Sequence, residues 1–195
     1  MIKIKNLTVK NFMSVGNQTQ AIDFDKGQLT LVLGENLDLG GDDSGARNGT
    51  GKTTIINGLS YAIFGNALTN IKKDNLVNKI NHKAMLCTVT FEVDGVEYHI
   101  ERGRKPNILK FSINGKEQEN LDQDESQGDS RETQKAIEEV FNMSHDMFKH
   151  LVALNTYTEP FLSMKSADQR NIIEQLLGIT PVSYTHLTLP TNREV

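Results

Sequence analysis

Cysteine is nearly absent. Cys87 is the only one in 195 residues, which excludes an internal disulfide and any zinc site built on cysteines. Set among alternating residues, it reads as a small buried side chain of a strand. Long apolar runs are missing as well: nothing approaches the roughly 18 consecutive apolar residues of a membrane-spanning helix. The N-terminal MIKIKNLTVK alternates apolar and charged residues and does not read as a secretory signal. No internal repeat is visible. A strong charge of either sign is also lacking, since 21 Lys+Arg stand against 25 Asp+Glu. The imbalance is local. Residues 117–132 carry seven acids against one arginine, and the remainder is slightly basic, 20 against 18. Overall charge therefore neither supports nor excludes nucleic acid as a partner.

What is present is a globular composition, 37% hydrophobic and 24% charged, enough for one domain with a sizeable core. Residues 2–10 read as a strand whose apolar phase shifts at Asn6, the mark of a bulge. Ala21–Phe24 reads as a second strand. Leu29–Leu33 is almost wholly apolar, as expected of a strand buried on both faces. After Lys52, Ile55, Ile56, Leu59, Ala62 and Ile63 have helical spacing, and Gly65 can end that helix. Residues 86–101 alternate around Asp94-Gly95, a hairpin signal. Ile108–Ile113 continues the sheet to a turn at Asn114-Gly115. Arg131–Phe141 reads as a helix with Asp129 and Glu132 as a capping pair. Met147–Leu154 reads as a short helix leading into a strand. Ser166–Leu177 reads as a helix opened by a Ser166/Gln169 capping box and stopped by Gly178.

One stretch carries chemistry. The pattern G-x-x-x-x-G-K-[ST] lies over Ala46–Thr53, with Ala46 in place of the first glycine. An apolar strand precedes the region and an amphipathic helix follows it. Glycines at 49 and 51 let backbone N–H groups turn toward phosphates, and the helix N-terminus adds partial positive charge. Lys52 suits the β- and γ-phosphates, and the Thr53 hydroxyl suits Mg²⁺. Gly34-Glu35-Asn36 also looks like the start of such a loop, with eleven residues between it and Asn48. The reading is a single site with a long lip, Leu37–Arg47, rich in glycine and aspartate and expected to be mobile.

These residues, in order, resemble a known family. Leu7–Gly16, then Gly34-Glu35-Asn36 with Asn48–Thr54, Leu59–Gly65, Tyr98–Gly103, Phe148–Asn155 and Ile172–Ile179 are similar to the N-terminal half of an SbcC-type ATPase head. That family is the SMC/ABC-like group of DNA-repair ATPases, and the similarity is greatest to the tailed-phage form, a recombination endonuclease subunit. The resemblance implies an α/β P-loop NTPase of ABC/SMC type, an N-terminal lobe with a mixed sheet, an antiparallel sheet and flanking helices. It implies ATP and Mg²⁺, held by Gly34, Asn36, Asn48, Gly49, Thr50, Gly51, Lys52, Thr53 and Thr54. It also implies partners: the C-terminal lobe of the same ATPase, a second head in a homodimer, an SbcD-type nuclease and DNA, with no membrane. A cytoplasmic setting follows, that of the host cell for a phage-encoded form.

Departures from the family qualify these expectations. Asn155 stands where the family has a glutamine that reaches Mg²⁺ or the attacking water, and is the nearest equivalent. The Walker B acid, catalytic glutamate and signature loop belong to a C-terminal lobe that this chain lacks, so the chain alone is expected not to turn over ATP. Residues 1–179 are read as the incomplete lobe. Residues 180–195 hold two prolines and a threonine-rich run that cannot open a coiled coil, and are read as non-native or disordered. Arg102, Arg104 and Lys105 form a basic cluster that suits either a DNA backbone or an exposed, solvated strand end. The leading function is an ATP-binding lobe that works with a nuclease in double-strand-break processing, recombination and replication. The rival is a non-hydrolysing, nucleotide-dependent DNA clamp of SMC type. The Tyr98–Gly103 hairpin and the Ile172–Ile179 helix argue against a transporter ATPase.

Overall fold

The computed structural model describes residues 1–27, 29–36, 49–118, 129–154 and 159–178, with the side chains of residues 129 and 130 excepted. The chain divides into two compact units, Met1–Asn142 and Met143–Val195.

The first unit is built on one sheet. Its strands are β1 (Ile2–Lys10), β2 (Gln20–Asp23), β3 (Met85–Val93), β4 (Val96–Arg104), β5 (Ile108–Ile113) and β6 (Lys116–Glu117). They lie in the order β2-β1-β3-β4-β5-β6, each pair antiparallel. The turns are those the sequence demands. Asp94 and Gly95 have φ of 49° and 85°, and Asn114 and Gly115 have 49° and 75°, the paired left-handed residues of tight hairpins. The phase change in β1 is a register shift between Ile4 and Asn6. The bulged Lys5 reaches Glu92 at 3.1 Å and Glu97 at 2.9 Å.

Alternation puts Leu7, Val9, Cys87, Val89, Phe91, Ile100 and Phe111 on one face, all buried. Two helices cover that face: α1 (Lys52–Phe64) and α2 (Asp129–Phe141). α1 lies on β1, β3 and β4, and α2 on β5 and α1. Gly58 allows the close approach of α1 to β1, because a Cβ there would stand 2.8 Å from Val9 Cγ1. Phe141 of α2 meets Phe91 of β3 at 4.7 Å between ring centroids. Each large side chain fully buried in this way contributes about 1.5–3 kcal/mol.

One element differs from expectation. Leu29–Leu33 forms no strand among the described residues, and Leu29, Leu31 and Leu33 are 94%, 80% and 67% exposed. An apolar run becomes a two-faced buried strand only with neighbours on both edges and layers on both faces. The described residues supply neither. The α/β class stands; this segment is the part of it left uncovered.

The second unit contains α3 (His145–Leu151), a 3₁₀ turn (Phe161–Ser163) and α4 (Ser166–Leu176), with α3 packed on α4. Ser144 caps α3 by accepting the Met147 N–H at 3.2 Å, and its hydroxyl donates to Gln175 Oε1 at 2.7 Å. The capping box expected at Ser166 is not formed. Lys165 takes the cap position without a side-chain bond, and Gln169 Nε2 instead donates to the Phe161 carbonyl at 2.8 Å. Gly178 has φ of 65° and ends the helix as expected. The strand expected after α3 reaches residues 155–158, which lie outside the described residues, as does the Asp129 side chain.

Candidate phosphate-binding site

α1 begins at Lys52, behind a left-handed Gly51 with φ of 87°, and Gly49 has φ of 76°. No other residue adopts these angles without strain, so the glycines form the loop that turns the chain into the helix. Thr54 N–H closes it onto the Gly51 carbonyl at 3.0 Å. No acid stands in the first turn of α1, so no side-chain carboxylate there competes for the helix's partial positive charge.

The two halves of the motif meet. A Cβ built on Gly34 would overlap the Thr50 side chain and stand 3.1 Å from Lys52 Nζ. Lys52 Nζ itself lies 3.2 Å from Thr50 Oγ1. Gly34 is thus a glycine because the phosphate loop passes directly against it. A cleft of about 730 Å³ opens here, lined by Gly34, Asn36, Gly49, Thr50, Gly51 and Lys52 among others. Thr53 is exposed beside it, and Thr54 is buried. The glycine cradle, the lysine and the exposed threonine hydroxyl match the needs of a polyphosphate and its Mg²⁺. Asn48, the lip Leu37–Arg47 and Asn155 lie outside the described residues.

A residue without an assigned role in the sequence reading joins the site. Ser14 lines the same cleft, and its Oγ stands 3.3 Å from Thr54 Oγ1. It is carried on the loop that follows β1. A lone serine in NFMSVG gives no chemical signal of this; only the packing of that loop on α1 reveals it.

The basic cluster divides. Arg102 points inward, contrary to its reading as a surface cation. Its guanidinium donates to the Ala62 carbonyl at 2.9 Å and the Ile63 carbonyl at 3.1 Å, and to Gln134 Oε1 of α2. It therefore caps the C-terminal end of α1. Although the residue keeps some surface, its charged head is enclosed, and burial lowers its pKa to about 10. β4 alternates, so Arg102 faces the helices for the same reason that Ile100 does. Arg104 reaches the Asp74 carboxylate at 2.7 Å, and Lys105 is exposed. Lys73 lies in the same field: burial, then Arg102 and Arg104, lower its pKa.

A phosphate loop that opens a helix packed on an antiparallel sheet defines a nucleotide-binding lobe. The chain matches the AAA domain family over residues 6–180, and it belongs to that family. Among individual proteins, it is 34% identical over 179 residues to Exonuclease subunit 2 of Enterobacteria phage T4, covering 91% of this chain and 29% of that protein. It is equally similar, at 34%, to Exonuclease subunit 2 of Escherichia phage RB69, covering 91% and 28%. The DNA double-strand break repair Rad50 ATPase of Methanococcus maripaludis is 26% identical over 179 residues, 90% of this chain and 16% of that one. Among solved structures, the Smc head domain of Pyrococcus furiosus bound to the C-terminal domain of ScpA superposes with a TM-score of 0.62. Its identity is 19%, over 95% of this chain and 44% of that one. The likeness to SbcC-type ATPases is borne out, and the fold is that of an Smc head. The chain spans less than a third of the length of the phage relatives it matches.

Proposed function

We propose that this chain is the ATP-binding lobe of an ATPase subunit that acts with a nuclease in DNA double-strand-break processing, recombination and replication. The observation that carries the proposal is the contact of Gly34 with Thr50 and Lys52, which joins two separated pieces of sequence into one cradle at the start of α1. In this reading Lys52, Gly34, Asn36 and the backbone of residues 48–54 hold the phosphates of ATP, and Thr53 holds Mg²⁺. ATP supplies the γ-phosphate whose contacts favour the closed pairing of two heads over the open one.

The exposed Leu29–Leu33 run supports a further lobe. Its place beside the phosphate loop suits a strand completed by another segment of polypeptide, the C-terminal lobe of the same ATPase. That lobe would contribute the groups that position water and stabilise the developing charge, which are worth on the order of 10²–10⁵ in rate. The chain alone therefore binds nucleotide without useful turnover. Arg104, Lys105 and Lys73 offer a basic surface to DNA phosphates. Asn155 is kept as the counterpart of the family's glutamine. A second head and an SbcD-type nuclease complete the assembly.

The Smc-head fold favours one rival, a clamp that binds nucleotide and DNA without hydrolysis. The assay that separates the two is turnover by the chain mixed with its C-terminal lobe, DNA and nuclease. The phosphate-site reading itself is tested by titrating ATP and Mg²⁺ into the unaltered chain and Lys52→Ala. Binding is expected in the first and its loss in the second, at unchanged stability. Equal affinities would overturn the assignment.

A further inference from the structure

Three asparagines outside the phosphate motif, Asn11 and Asn78 buried and Asn81 half-buried, form a network behind Ser14. Asn78 is 6% exposed and Asn11 is 1% exposed. Asn78 Nδ2 donates to the Met13 carbonyl at 3.0 Å and the Val15 carbonyl at 3.2 Å. Its Oδ1 accepts the N–H groups of Ile80 and Asn81, both at 3.0 Å. All four hydrogen-bonding positions of this amide are thus used, which fixes its orientation, because an exchange of N and O would set donors against donors. Its backbone N–H donates to the Asn11 carbonyl at 2.8 Å. Asn81 Nδ2 donates to Asn11 Oδ1 at 2.7 Å, and Asn11 Nδ2 donates to the Lys83 carbonyl at 2.9 Å.

The network holds a loop that would otherwise relax. Between β1 and Gly16, both Asn11 and Met13 have φ of 50°. Left-handed asparagine is tolerated, but left-handed methionine is uncommon and strained. Met13 N–H donates to the Leu76 carbonyl at 2.7 Å, and Asn78 takes the carbonyls on either side of Ser14. The two residues flanking Ser14 are therefore tied to the 76–84 segment, while Ser14 itself faces the phosphate loop. Its Oγ lies 3.3 Å from Thr54 Oγ1 and 3.9 Å from where a Gly51 Cβ would stand.

We propose that Asn78 is a positioning residue of the phosphate site: its side-chain amide holds the Asn11–Gly16 loop, and with it Ser14, against the phosphate loop. The inference rests on the nucleotide-binding reading above and adds a component that lies outside the motif. Asn78 touches no ligand. It acts by keeping the wall of the cleft in one conformation, so that binding does not have to order that wall.

The discriminating variant is Asn78→Asp in the full 195-residue chain. Aspartate keeps the acceptor for Ile80 and Asn81 but cannot donate to Met13 and Val15, so the turn survives while the loop is released. The readouts are ATP·Mg²⁺ affinity under conditions where circular dichroism shows a folded chain, and the amide resonances of Gly16 and Gly51 in ¹⁵N-glycine-labelled protein without nucleotide. The expected result is affinity about tenfold weaker, with both resonances displaced. A folded variant with lowered thermal stability, unchanged affinity and an unmoved Gly51 would make Asn78 a merely structural residue and overturn the proposal. Should Asn78→Asp not fold, Asn81→Ala removes only the Asn81–Asn11 bond. Displacement of the same two resonances, with a smaller loss of affinity, is expected there; wild-type behaviour would overturn the proposal. Failure of the unaltered chain to bind ATP would instead sink the nucleotide reading, while the glycine resonances would still report whether the network governs the loop.

Discussion

Gly34 and Thr50 touch although the motif they belong to is interrupted by the Leu37–Arg47 insertion. A methyl group at position 34 has no room, because it would overlap the Thr50 side chain beside Lys52. Gly34→Ala is therefore expected to displace Thr50 and Lys52 and to weaken ATP binding by about tenfold or more. Calorimetric titration of the two proteins checks this. Equal affinities would mean that Gly34 is a neighbour of the cradle and not part of it.

Arg102 is expected to matter for stability before it matters for any partner. Its removal leaves the Ala62 carbonyl and Gln134 Oε1 without this donor, and leaves the Ile63 carbonyl only the long Gln134 Nε2 contact at 3.4 Å. Arg102→Ala should destabilise the chain by about 2 kcal/mol, the cost typical of orphaned buried acceptors. Arg102→Lys should recover little, since an ammonium cannot reproduce the planar fork. Denaturant unfolding of the three proteins measures this. An unchanged midpoint for Arg102→Ala would return Arg102 to the surface cluster.

The Asp74–Arg104 pair predicts a pH dependence. The hydrogen bond from Arg104, and then its charge, hold the Asp74 carboxyl below its ordinary value of 3.8. For a depressed carboxylate, the stabilising contribution is present above the unfolded value and is lost as pH falls through the lower folded value. Carboxyl chemical shifts of Asp74 should accordingly titrate below 3.8 and return to the ordinary range in Arg104→Gln. A normal titration in the unaltered chain would show that the pair does not persist in solution.

Leu31 is expected to be silent in this chain and decisive in the assembled head. It is 80% exposed, so Leu31→Lys should leave unfolding of the isolated chain within about 0.5 kcal/mol of the parent. The same change should abolish association with a polypeptide carrying the C-terminal lobe, because a lysine does not enter a two-faced buried strand. Co-purification of the two polypeptides tests this. Undiminished association would show that the Leu29–Leu33 segment is not where such a lobe docks.

Local signals were legible where the chain's own neighbours complete them. Asp94-Gly95 and Asn114-Gly115 fixed their hairpins, and Gly65 ended α1, because left-handed backbone is a property of one or two residues. Gly34 reads as half of a phosphate loop, and the structure sets it against Thr50. The misplaced features depend on what lies across space. Leu29–Leu33 has the composition of a buried strand, but composition does not say who covers it. Arg102 and Arg104 share one face of β4, but the helix end and Gln134 that enclose the Arg102 guanidinium come from distant parts of the chain, which adjacency to Arg104 and Lys105 does not show. The roles of Asn11, Asn78 and Asn81 went unread because a polar residue in a loop gives the same signal whether solvated or buried. Only their mutual distances distinguish the two.

Cys87 has a practical consequence. It is 0% exposed, and burial pushes its thiol far above the usual range, so little thiolate forms at neutral pH and reagents have no access. It is also the only cysteine in the sequence. The folded protein is thus blank to maleimides and spin labels, and a cysteine introduced at an exposed position becomes a unique handle. Placed at Leu31, such a handle would report by its colour or its spectrum the moment a second polypeptide covers that segment.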